Sequence, residues 1–144
     1  MNTEFVEMLS ALSEADAEFL VVGAHALAAH GVPRATGDLD LWVRSTPENA
    51  KKVLAALQKF GAPLFDLSVQ DLSTPEIVFQ IGVAPLRIDI LTSITGVDFE
   101  EAWTRRKEME LGGVRFGVIS REDLIRNKRA TGRPKDLLDV ESLI

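Results

Sequence analysis

Three aspartates in this 144-residue chain occupy positions from which carboxylates do chemistry. Asp38 and Asp40 belong to an otherwise apolar extended run, Asp38-Leu39-Asp40-Leu41-Trp42-Val43. Side chains alternate faces along a strand, so the two aspartates point one way while Leu39, Leu41 and Val43 point into a core. Asp89 repeats the pattern about fifty residues later in Leu86-Arg87-Ile88-Asp89-Ile90, where it shares a face with Arg87. Adjacent strands lie about 4.8 Å apart, close enough for all three carboxylates to serve one or two cations. Clustered carboxylates repel one another and resist desolvation, so something positive belongs between them. A divalent metal is the economical candidate, and Mg²⁺, with hard oxygen ligands and water or phosphate completing its shell, suits phosphoryl or nucleotidyl transfer. A lone Asp-x-Asp also serves turns and helix caps. The recurrence of a third carboxylate in the same alternating context separates this set from that reading.

The elements that must position these residues are legible around them. An apolar strand over residues 18–22 breaks at Gly23 into a short Ala-rich helix over 24–30. A strand-to-helix glycine lets backbone approach a ligand, and the helix start offers free N–H groups to a phosphate. Gly23, Ala24 and His25 are therefore candidate nucleotide contacts, while His30 reads as structural. Arg34 and Thr36, in the loop before the Asp-bearing strand at 38–44, are candidates for triphosphate oxygens. Arg87 is a further candidate contact beside Asp89.

Elsewhere the spacing predicts a first helix over 3–17 with Thr3 as its cap. A second begins at Ser45-Thr46-Pro47-Glu48 and stops at Gly61. Residues 61–75 read as loop with at most a short helical turn. Strands at 76–82 and 86–91 flank a turn at 83–85, and a helix covers 98–106. Gly112-Gly113 joins strands at 107–111 and 114–119 into a hairpin. Ser120-Arg121-Glu122-Asp123 fits a capping box opening a helix to about residue 130, and a last helix covers 135–143. The C-terminal quarter gathers Arg121, Arg126, Lys128, Arg129, Arg133 and Lys135 within fifteen residues. Lys128 flanks the apolar stripe of its helix, from which it can reach over a cleft.

The sequence excludes several classes. With no cysteine there is neither a disulfide framework nor a thiolate metal site, and two histidines are too few for a His-rich one. A net charge of −6 argues against a generally basic nucleic-acid-binding surface. No apolar run is long enough to span a bilayer and the N-terminus lacks a signal-peptide pattern, so a soluble cytoplasmic protein is expected. The length predicts one domain over 1–144, with a core at about 18–119 and a C-terminal helical segment at about 120–144.

Taken together, Gly23-Ala24-His25-Ala26, Arg34-Ala35-Thr36-Gly37-Asp38-Leu39-Asp40-Leu41, Asp89 and the segment from Lys128 to Asp136 resemble the nucleotidyltransferase superfamily typified by DNA polymerase beta, in its minimal bacterial form. The closer resemblance is to abortive-infection-type nucleotidyltransferases, the toxin halves of some bacterial toxin–antitoxin pairs. The resemblance implies an α/β (α+β) fold, a mixed twisted sheet flanked by helices with further C-terminal helices. It implies Asp38, Asp40 and Asp89 as metal ligands, Asp89 also as base, Gly23 and its helix as phosphate cradle, and Lys128 as a nucleotide or catalytic contact. The expected activity moves NMP from an NTP to an acceptor hydroxyl with one or two Mg²⁺. The acceptor is an RNA end, a protein or a small molecule such as an antibiotic, and an antitoxin protein is a candidate partner. Ala24, where the pattern has Gly or Ser, removes a hydroxyl and leaves a backbone N–H to donate. It supports the competing reading, a non-catalytic nucleotide- or partner-binding module of the same fold. A metal-dependent nuclease using the same carboxylates is the third, against which the phosphate turn speaks.

Overall fold

A computed structural model of the chain describes residues 2–34, 37–83 and 86–144. Among the described residues six strands make one mixed sheet: β1 (Phe19–Val22), β2 (Leu39–Val43), β3 (Val78–Ile81), β4 (Ile88–Leu91), β5 (Lys107–Leu111) and β6 (Val114–Val118). Their order across the sheet is β3-β4-β2-β1-β6-β5. The pairs β1–β2, β3–β4 and β5–β6 are antiparallel. The pairs β2–β4 and β1–β6 are parallel, which requires crossover connections. Position in the sheet follows composition. Every residue of β1 is buried, and in β2 only Asp40 interrupts the buried run Leu39, Leu41, Trp42, Val43. Such doubly covered strands belong in the middle of a sheet. β5 carries Lys107, Glu108 and Glu110 at one edge, charges that discourage pairing with another chain.

Helices cover the sheet. α1 (Thr3–Glu14) buries Phe5, Met8, Leu9 and Leu12. Its cap is Asn2, whose Oδ1 accepts from the Phe5 N–H at 2.9 Å, one residue before the expected Thr3, and the helix ends three residues early. α2 (Gly23–Ala29) follows β1 directly. α3 (Pro47–Phe60) begins as expected, with Thr46 as cap and Pro47 in the first turn, and stops at Gly61, whose φ of +91° is the left-handed cap that glycine supplies. The segment after it holds one helical turn, α4 (Val69–Leu72), closed by a reciprocal Ser68–Asp71 capping box. α5 (Phe99–Arg105) sets Phe99 edge-on against Trp42, ring centres 4.9 Å apart, and so covers the face of β2 that also carries Asp40.

The β3–β4 pair forms in the expected antiparallel sense with shorter strands. Residues 84 and 85 of the expected turn lie outside the described residues. The Gly112-Gly113 hairpin forms as read, both glycines at positive φ. α6 (Arg121–Thr131) and α7 (Pro134–Leu143) form a helical hairpin broken at Gly132. The capping box at the start of α6 is only half made. Ser120 Oγ accepts from the Asp123 N–H at 3.1 Å, but the Asp123 carboxylate turns away. It is fully buried and takes both prongs of Arg105, at 2.9 and 3.1 Å, and Arg126 at 2.8 Å. The residue read as a local cap is thus a tie between α5 and α6. No helix among the described residues is long and apolar enough to cross a membrane.

Candidate active site

The parallel joint between β2 and β4 places Asp40 directly opposite Asp89 in register. Asp38 lies one residue ahead of β2 rather than within it, and its Oδ1 accepts from the Arg87 N–H at 3.3 Å, which ties the approach to β2 to the approach to β4. The three carboxylates line one cleft of about 420 Å³ with Gly23, Ala24 and Leu27 of α2. Gly23 has a φ of +68°, and a Cβ there would come within 2.2 Å of Asp40 Oδ2. The close approach that the sequence predicted for a ligand is therefore made first by the Asp40 carboxylate itself. Burial, then Asp89, then Asp38 push the Asp40 carboxyl up to about 6, with Arg87 opposing.

Arg87 occupies the ground between these groups. Its Nε donates to Asp89 Oδ1 at 2.7 Å, and its Nη2 lies 3.1 Å from Asp89 Oδ2 and 3.2 Å from Asp38 Oδ2. Arg87, a candidate nucleotide contact, lines the cleft and grips two of the three carboxylates. As the side chains stand, no three His, Cys, Asp or Glu among the described residues converge on one point that could hold a metal. The donor set nevertheless fits a divalent cation. It offers three hard oxygen groups on one face, and Asp40 carries a raised carboxyl that a cation would bring down.

The far wall of the cleft comes from α6, α7 and the loop after α2: Arg34, Lys128, Arg133 and Lys135, with Asp136 and Asp139 among them. Lys128 is 8% exposed, and its Nζ lies 2.9 Å from Asp139 Oδ2 and 3.4 Å from Asp136 Oδ1. Arg34 also pairs with Asp139. Asp136 Oδ2 accepts from Arg133 Nε at 2.6 Å and from Thr131 Oγ1 at 2.8 Å. Burial alone would raise the Asp136 carboxyl, but Arg133, Thr131 and Lys128 together hold it at about 2. Burial opposes Asp139 in the same way, and Lys128 and Arg34 overcome it.

A match over residues 1–143 ties this cleft to known proteins: the sequence fits the family described as nucleotidyl transferases of unknown function (DUF2204). The chain belongs to that family. Nucleotidyl transfer is accordingly its class of reaction. Comparison with curated proteins gives no match. Solved structures with a similar fold include lincomycin-bound LnuA, a lincosamide antibiotic adenylyltransferase, at 15% identity and a TM-score of 0.63 over 99% of this chain and 96% of that one. A protein of Thermotoga maritima described as a nucleotidyltransferase aligns at 18% identity and 0.60, over 96% and 87%. An antigenic nucleotidyltransferase-like protein of Paracoccidioides brasiliensis aligns at 15% and 0.55, over 97% and 74%. These likenesses agree with the α/β fold and its mixed sheet.

Of the residues that the sequence put forward in this nucleotidyl transferase, Asp38, Asp40, Asp89, Gly23, Ala24, Arg34, Arg87 and Lys128 meet in one cleft. Thr36 lies outside the described residues. His25 does not line the cleft. It lines an apolar groove with Val21, Met109 and Phe116, its ring edge-on to Phe5 at 5.5 Å, and burial lowers its pKa. His30 is structural as expected, its Nε2 2.7 Å from the Ile119 carbonyl oxygen. Of the acidic half of the far wall, Asp136 enters the sequence reading only as the end of the Lys128–Asp136 segment and Asp139 not at all. Their signal was present: Asp136 and Asp139 share the buried stripe of α7 with Val140 and Leu143, positions where an unpaired carboxylate could not stay.

Proposed function

We propose that this nucleotidyl transferase is Mg²⁺-dependent and moves NMP from an NTP to the hydroxyl of a small acceptor. The observation that carries the reading is the in-register pairing of Asp40 with Asp89, with Asp38 beside them, across one cleft from a basic wall. Asp38, Asp40 and Asp89 would hold the metal. When bound, it neutralises phosphate charge and polarises the phosphorus for in-line attack. Gly23 and Ala24, at the N-terminus of α2, and the basic groups Arg34, Lys128, Arg133 and Lys135 hold the triphosphate. The acceptor oxygen forms a bond to the α-phosphorus as the bond to pyrophosphate breaks. The hydroxyl proton passes to a carboxylate of the triad, Asp89 being the group assigned as base. Pyrophosphate leaves against the basic wall.

A cleft of about 420 Å³ suits a nucleotide with a compact acceptor. The full-length alignment with an antibiotic adenylyltransferase supports a small hydroxylated molecule over a protein or an RNA end. A toxin role would require one of those larger acceptors and a partner protein to silence it.

The test is isothermal titration of the four NTPs with Mg²⁺ into the native protein and Asp38→Ala/Asp40→Ala. It is followed by transfer assays with α-labelled NTP against hydroxylated small molecules, tRNA and the protein itself. Metal-dependent binding lost in the double variant, with label on a small acceptor, is the expected result. Full transfer by Asp40→Asn would sink the reading.

A further inference from the structure

We propose that Arg87 is the resident cation of the nucleotide-free site, so that a divalent metal gains the three carboxylates only when an NTP arrives to take the guanidinium from them. The inference rests on the reading above, in which Asp38, Asp40 and Asp89 ligate the metal.

The contacts are those of a competitor. Arg87 takes both oxygens of Asp89 in a two-pronged grip, at 2.7 and 3.1 Å, and one oxygen of Asp38 at 3.2 Å. Its backbone N–H takes the other oxygen of Asp38 at 3.3 Å. The grip takes one lone pair on each Asp89 oxygen and leaves the metal only the remaining ones, and two cations sharing the same carboxylates repel. Arg87 lies one residue ahead of β4 and two before Asp89, so the guanidinium stays within reach of that carboxylate while the strand is formed.

Where Arg87 can go is equally constrained. The opposite wall presents Arg34, Lys128, Arg133 and Lys135, which repel it. The carboxylates there are already taken, Asp139 by Lys128 and Arg34, Asp136 by Arg133, Thr131 and Lys128. With Asp40 taken by the metal, the anionic partner left to Arg87 among the described residues of the cleft is a phosphate brought in from outside. Arginine binds phosphate oxygens with the same fork geometry it uses on a carboxylate, so the exchange keeps its hydrogen bonds while freeing Asp89 and Asp38 for the metal. Metal and NTP then bind as a unit, and the metal-loaded cleft does not stand open to water between turnovers.

The test measures Mn²⁺ binding by loss of its free paramagnetic signal, without nucleotide, in the native protein, Arg87→Gln, Asp40→Asn and Arg87→Gln/Asp40→Asn. Arg87→Gln is expected to bind Mn²⁺ at least tenfold more tightly than the native protein, and the added Asp40→Asn to abolish the gain. Thermal unfolding gives a second readout. Mn²⁺ alone should raise the midpoint of Arg87→Gln and leave the native midpoint in place until α,β-methylene-ATP is added. Equal Mn²⁺ affinity in native and Arg87→Gln, both weakened by Asp40→Asn, overturns this proposal and leaves the metal reading standing. Mn²⁺ binding indifferent to Asp40→Asn overturns both. Near-UV circular dichroism of Trp42 and Trp103 reports whether Arg87→Gln is folded. If it is not, Arg87→Lys carries the test, since it keeps the charge without the fork and should bind Mn²⁺ more tightly than the native protein; affinity equal to the native value overturns the proposal.

Discussion

Asp40 stands where burial and two neighbouring carboxylates act on one group, and its carboxyl is pushed up to about 6. In the unfolded chain an aspartate ionises near 3.9, so between those values the folded state pays to let Asp40 charge. Metal-free stability therefore falls as pH rises from about 4 through about 6. Asp40→Asn removes that penalty. At pH 7.5 in EDTA the variant should be more stable than the native protein by about 1–3 kcal/mol, and below pH 4 the two should converge. Urea unfolding at both pH values checks this, and a gap that does not change with pH contradicts it. On the reading proposed for the site, the variant should at the same time lose transfer activity by a factor of a hundred or more. Gly23 is bound to the same group. Gly23→Ala combines a left-handed backbone with a Cβ 2.2 Å from Asp40 Oδ2, so it must move the carboxylate. Transfer should fall at least tenfold, measured as kcat/KM for the NTP, and recovery by Asp40→Ala, which removes the clashing group, should show in stability but not in activity. The aspartates were legible as a set because a third carboxylate recurs in the same apolar alternating context. The role of Arg87 was not, since spacing shows that it shares a face with Asp89 but not that its fork closes on it. Asp136 and Asp139 escaped because on a helix an aspartate is ordinary until its neighbours on the stripe are counted.

Helices and strands in this chain read well where their ends carry their own chemistry. Thr46-Pro47 and Gly61 bound α3, and Gly112-Gly113 turns the β5–β6 hairpin, as the sequence predicts. Ends read less well where the deciding contact is distant or one residue away. Asn2 outcompetes Thr3 as the cap of α1, and β3 and β4 stop short of their apolar runs. Asp123 marks the same boundary in the other direction. Its position fits a capping box, yet Arg105 and Arg126 claim the carboxylate because a buried ionised group gains more from a two-pronged cation than from one backbone N–H. That tie holds α6, and with it Lys128, against α5 and the sheet. Asp123→Ala should lower stability by about 2–3 kcal/mol in denaturant unfolding, the scale of hydrogen bonds to a charged group. Ser120→Ala, which removes only the cap, should lower it by about 1 kcal/mol. Equal effects would mean that Asp123 serves α6 alone.

Across the whole molecule the charge is divided rather than merely acidic. The chain carries −6, yet one wall of the cleft sets Arg34, Lys128, Arg133 and Lys135 around two buried carboxylates, leaving a positive surplus to face the acidic triad. Composition showed the basic cluster in the C-terminal quarter but not that α6 and α7 fold it back over the strands. That closure depends on Arg34 pairing with Asp139 and on Arg121 holding the Leu143 and His30 carbonyl oxygens at 2.9 and 3.1 Å. A cleft whose two walls come from distant parts of the chain has a consequence for stability. A ligand that bridges them binds the folded state and not the unfolded one, so it must raise the unfolding temperature of the whole. At a concentration one hundred times its dissociation constant, a bridging NTP with Mg²⁺ adds about 2.7 kcal/mol, which for a chain of this size corresponds to a shift of about 5–10 °C. Pyrophosphate without metal does not engage the carboxylates through a cation and should shift the midpoint less. Lys128→Met should shrink the response to NTP with Mg²⁺, and Asp38→Ala/Asp40→Ala should reduce it to the pyrophosphate level, because that variant keeps only the wall. Scanning fluorimetry of the three proteins against each of the four NTPs measures this directly. A native shift of the same size with pyrophosphate alone would show that the two walls do not act on one ligand.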